Sequence, residues 1–78
     1  MLTSAQLISR IGEGLFGPHP DTALADALGV SKRTVRRWRV GEYEPQPGVW
    51  VDLIAIIETR KDVLEDVLRE LKHRTIRE

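Results

Sequence analysis

The sequence predicts an all-α protein, a compact bundle of four to five helices. Three observations predict it. Apolar residues recur at helical spacing along most of the chain, and nowhere do they alternate with polar ones at period two over a useful length. Proline and glycine cluster at Gly17-Pro18, Pro20, Gly29 and the stretch from Gly41 to Gly48, which separate the periodic segments. Seventy-eight residues make one domain, 1–78, because two would each be too small to bury a useful core.

The first helix starts at Thr3. Gln6 follows three residues later, the capping-box spacing in which a hydroxyl caps one backbone N–H and the amide side chain reaches back to another. Leu7, Ile8, Ile11 and Leu15 then line one face. A second helix begins around Pro20, which suits the first helical position, and buries Ala23, Leu24, Ala27 and Leu28 before Gly29 supplies the left-handed residue that ends it. The third opens on Ser31 as N-cap and runs to about Val40. After Pro47 a fourth presents Trp50, Leu53, Ile54 and Ile57 to the core. Asp62 and Glu65 resemble one more start, opening a C-terminal helix over about 62–74 with Val63, Leu64, Val67, Leu68 and Leu71 on one side. The last two segments are either two helices or one, since no glycine or proline lies between Trp50 and Arg74.

Composition narrows the function. Twelve basic and twelve acidic residues give a formal net charge of zero and a pI near 6.7, which excludes a tail that binds polyanions through bulk charge. Without cysteine there are neither disulfides nor thiolate metal sites, and His19 and His73 lie far apart. The longest apolar-rich stretch, Gly48 to Ile57, is too short to span a bilayer, and the N-terminus lacks the marks of a signal peptide. The expectation is a cytoplasmic protein, nucleoid-associated in a bacterial host, with no membrane partner, no metal and no cofactor. Glu65, Asp66 and Glu70 alternate with Arg69 and Arg74 as i,i+4 partners, a solvated charged face rather than a metal site. An enzyme is not expected, because the chain has no Ser-His-acid spacing worth defending and no glycine-rich phosphate loop.

The informative pattern lies in residues 21–40. Two short helices crossing steeply through a tight turn need a small residue at their closest approach, a glycine at the turn, a cap on the second helix and apolar side chains beneath. Ala25, Gly29 and Ser31 supply the first three, and Leu24, Leu28, Val30, Val35 and Trp38 the last. At about 100° per residue, Val35 and Trp38 share one side of the third helix, and Lys32, Arg33, Arg36 and Arg37 point nearly opposite, flanked by Arg39. Five of the twelve basic residues sit between Lys32 and Arg39, so seven remain elsewhere against all twelve acids. One helix face is strongly cationic on an otherwise acidic molecule.

The run from Asp21 to Gly41 resembles the helix-turn-helix of phage-repressor and Cro-like transcription regulators. The likeness extends from Trp38 to Pro47 through Trp-x-x-Gly-x-x-x-Pro-x-Pro and, with the helix after Pro47 included, covers a little over half of the chain; anti-CRISPR-associated autorepressors share the module. The resemblance implies that the third helix is a recognition helix in the major groove of double-stranded DNA. Ser31, Lys32, Arg33 and Arg37 match base-reading positions, with a guanine-containing half-site the natural target of Arg or Lys. Arg36 and Arg39 would meet phosphates, as would backbone N–H groups near Thr22 and Gln46, with Tyr43 as the loop's contribution. Two departures from the family's pattern weaken these contacts: Asp21 where a neutral or basic residue is common, and Glu42 and Glu44 in the loop.

The C-terminal stripe either packs on its own domain or joins two copies. The second is favoured, because a short chain gains from extra burial and one helix rarely gives enough selectivity. The combined expectation is a homodimeric repressor, including an autorepressor, on a palindromic operator. Two alternatives stay open: a helix-turn-helix module that binds protein, as an antirepressor does, and an accessory factor of DNA packaging or recombination. His19, between two prolines, reads as a turn residue rather than a phosphate ligand, and Trp38 and Trp50 as core.

Overall fold

Local chemistry starts the first helix where the capping box places it. α1 spans Ser4–Phe16; the Thr3 hydroxyl accepts from the Gln6 amide at 3.1 Å, and the Gln6 side chain accepts from the Thr3 amide at 2.9 Å. The computed structural model describes residues 1–76, and among these the remaining helices are α2 (Asp21–Leu28), α3 (Lys32–Arg39) and α4 (Pro47–Ile76), with no strand. Pro20 is the N-cap of α2 rather than its first residue. Its ring is buried where α1 passes close: a Cβ at Gly12 would stand 3.1 Å from that of Pro20 and 3.4 Å from Leu24 Cδ2, so a glycine is what lets the two segments approach.

The turn between α2 and α3 is a Schellman motif. Gly29 takes the left-handed conformation at φ 71°, its N–H reaches the Asp26 carbonyl at 3.4 Å, and the Val30 N–H reaches the Ala25 carbonyl at 3.0 Å. Ser31 then caps α3 by accepting from the Thr34 amide at 3.1 Å. α3 packs on α2 and on α1, and α4 reaches this group chiefly through α2.

The core is Ile8, Leu24, Ala25, Val35, Trp38 and Leu53, all buried, with Ile11, Phe16, Leu28, Val30, Val49 and Trp50 packed around it. It holds a side chain from each helix, so helix roll is set by burial rather than by propensity. Several residues expected inside are not. Leu7, Ala27, Ile54 and Ile57 are exposed, because each helix buries only the narrow stripe that meets its neighbours.

The fourth and fifth segments are one helix of 30 residues, with Asp62 and Glu65 in its interior. With no proline or glycine after Gly48, nothing in this stretch breaks the ladder, and a helix of this length runs about 45 Å. Only its beginning is covered: Leu53 is buried and every residue from 57 to 75 is exposed. The molecule accordingly measures 52 × 27 × 23 Å, a small helical body with a projecting rod. Arg60 marks the edge of the body, its guanidinium 4.9 Å from the centroid of the Phe16 ring.

Leu53 is the buried contact of α4. Leu53→Ala is expected to lower stability by about 2–5 kcal/mol, seen as a lower urea midpoint at unchanged slope. A midpoint within error of the unsubstituted chain would mean that α4 does not depend on that contact.

Candidate nucleic-acid interface

The polarity of α3 follows from its two buried residues. Val35 and Trp38 are 0% and 6% exposed and occupy one side, which turns Lys32, Arg33, Arg36 and Arg37 to the other. These four, with Val40 and Glu42, line one shallow concavity. A second, smaller one lies beside it, lined by Pro18, His19, Asp21, Thr22, Lys32, Arg36 and Arg39. Lys32 and Arg36 belong to both, so the two concavities adjoin along α3.

The cations are not equivalent. Lys32 and Arg33 are exposed and form no ion pair among the described residues. Arg36 is 64% exposed and its Nε stays 3.9 Å from an Asp21 carboxylate oxygen. Arg37 is partly covered, its Nε 3.8 Å from Glu42 and its guanidinium 5.1 Å from the Tyr43 ring centroid.

Arg39 departs from its expected role at phosphates. Its side chain turns toward α1 and α2, where Nη1 donates to Asp21, Nε donates to the Ser9 hydroxyl at 3.3 Å and Nη2 lies 3.7 Å from Glu13. With 25% of its side chain exposed, it ties three helices together instead of facing a ligand. Asp21, only 18% exposed, is therefore compensated: it sits in the first turn of α2 and meets Arg39 and Arg36. Ser9 and Glu13 escaped the sequence reading because they lie 30 and 26 positions from Arg39, where no local periodicity links them.

The other expected contacts are scattered. Thr22 is exposed at the rim of the second concavity, beside His19. Ser31 is exposed, but its hydroxyl is engaged with the Thr34 amide and, at 2.9 Å, with the Thr34 hydroxyl. Tyr43 lies against Arg37, and Gln46 sits exposed just ahead of α4, its carbonyl accepting from the Val49 amide at 2.9 Å; it lines neither concavity. Glu44 is held away by the Ser4 hydroxyl at 2.7 Å.

Far from α3, Val63, Leu64, Val67, Leu68 and Leu71 are each about half exposed, between 49% and 64%, on the projecting part of α4. The acids between them pair within the helix: Arg74 with Glu70 at i,i+4, and Arg69 with Asp66 at i,i+3 rather than with Glu65. Among the described residues no acid or histidine group is arranged to hold a metal, and no helix is long and apolar enough to cross a membrane.

No protein-family model, curated protein or solved structure matches the chain.

The different surroundings of Arg39 and Lys32 predict different costs. Arg39→Ala removes a partner from the largely covered Asp21 and should destabilise the fold by about 1–3 kcal/mol, while Lys32→Ala should stay within about 0.5 kcal/mol. Thermal melts of the two variants check this; equal melting points would remove the structural role of Arg39.

Proposed function

We propose that the protein is a sequence-specific double-stranded DNA-binding regulator of the helix-turn-helix type, in which α2, the Gly29 turn and α3 form the motif and α3 enters the major groove. The observation that carries this reading is the sidedness of α3, with Val35 and Trp38 buried beneath and Lys32, Arg33, Arg36 and Arg37 turned outward together. An eight-residue helix has few reasons to concentrate cations on one face, since like charges at i,i+4 destabilise it. The acidic remainder of the molecule supports one docking orientation.

Within this reading the exposed Lys32 and Arg33 and the partly covered Arg37 read bases, and Arg36 and the Thr22 region hold phosphates. Ser31 contributes less, its hydroxyl being committed to the cap, and Arg39 serves the fold. Two copies joined along the projecting α4 would bring two recognition helices to a palindromic site, and occupancy of that site would repress the promoter it overlaps. The apolar stripe from Val63 to Leu71 supports the pairing, since such a row is costly to leave in water.

Selection of bound duplexes from a random pool tests the core of the proposal. A symmetric, guanine-containing motif with half-sites about 34 Å apart is expected, and Arg33→Ala should cost about 1–3 kcal/mol on it and relax one position. A pool with no enriched motif would favour a protein-binding module instead.

The pairing has its own check. Leu68→Glu should give a monomer in sedimentation and weaker binding to the selected site; a persistent dimer would place the interface elsewhere.

A further inference from the structure

The turn that ends α3 brings two side chains onto one arginine of its cationic face. Gly41 adopts φ 84°, a left-handed conformation that costs glycine little, and its N–H donates to the Trp38 carbonyl at 3.2 Å. The next amide, that of Glu42, donates to the Arg37 carbonyl at 3.0 Å. These two bonds are the pair that defines a Schellman turn, and they fold the chain back along the last turn of the helix. The return carries Glu42 and Tyr43 to Arg37. Glu42 meets its Nε at 3.8 Å, and the Arg37 Cζ stands over the Tyr43 ring, 5.1 Å from its centroid.

A guanidinium offers two edges for a bidentate pair, one made of Nε and a terminal nitrogen, the other of both terminal nitrogens. Glu42 approaches the Nε side, which leaves the two terminal nitrogens for an outside acceptor. The ring restrains the position of the guanidinium from a second side. Neither contact is strong in water, since Glu42 is 61% exposed and such pairs are screened. Their effect is on orientation: two restraints from different directions act on one side chain, while Lys32 and Arg33 have no ion-pair partner among the described residues.

We infer that Glu42 and Tyr43 are positioning residues that hold Arg37 in one pose and thereby set the discrimination at the base pair Arg37 meets. The inference rests on the DNA-binding reading above. It gives a purpose to an acid beside a polyanion: Glu42 lowers affinity for every duplex by repelling phosphate and restricts which duplex satisfies Arg37. Sharper choice at the expense of affinity is a recognised route to specificity.

The test uses the full chain and its variants Glu42→Gln and Tyr43→Leu, both at exposed positions that leave the core intact. Each binds the duplex selected by the unsubstituted chain and the same duplex with every base pair replaced in turn, and Arg37 Nε relaxation is recorded by NMR in the free protein. Glu42→Gln should bind all duplexes more tightly while discrimination at a single base pair falls about five-fold, with the other positions unchanged and the Arg37 side chain more mobile. Tyr43→Leu should blunt the same base pair. Discrimination that is unaltered in both variants, or reduced evenly across all positions, overturns the inference and leaves Glu42 a general electrostatic residue. If the unsubstituted chain selects no motif, the DNA-binding reading itself falls and the positioning role falls with it.

Discussion

The burial of Val35 and Trp38 beneath α3 is the constraint on which the remaining surface depends. A helix of eight residues with five cations has little stability of its own, because nucleation is unfavourable and its charges repel. It persists as a helix because two apolar side chains spaced three apart are buried with Leu24, Ala25 and Ile8. The same burial removes its rotational freedom, so the direction of every other side chain follows. Cap and turn chemistry decide where α3 begins and ends, and packing decides which way it faces.

Charge is then divided by covering. Asp21 enters the structure as a helix-starting acid, yet its largely covered position makes it the centre of a small network in which Arg39 joins α3 to α1 and α2. One cation of the five is thereby committed to the fold, a second, Arg36, is loosely shared, and Lys32 and Arg33 are left to the outside. The acids do not merely neutralise the basic face; they sort its members into structural and available ones. Glu42 extends that sorting to Arg37 at the far end of the helix.

α4 shows what a small body cannot do. Helices of eight and thirteen residues cover only the first turns of a helix of thirty, so its apolar stripe continues past the last surface able to bury it. The unbroken helix carries that stripe outward from the body. On the DNA-binding reading, pairing of two rods would fix the separation of two recognition helices, which is the geometric quantity a palindromic site measures.

The sequence by itself determined the all-helical class, the capping box of Thr3 and Gln6, the left-handed turn at Gly29 and the cap at Ser31, because each depends on residues within a few positions of one another. Much of the candidate site was legible for the same reason: the sidedness of α3 is a matter of periodicity. The tertiary structure alone decided that Arg39 turns inward, since its partners Ser9, Glu13 and Asp21 come near only when three helices meet. It also decided that Ile54, Ile57 and the apolar stripe of the projecting part of α4 stay exposed, because an apolar stripe in a sequence states what a helix can bury and never how much neighbouring surface exists to bury it.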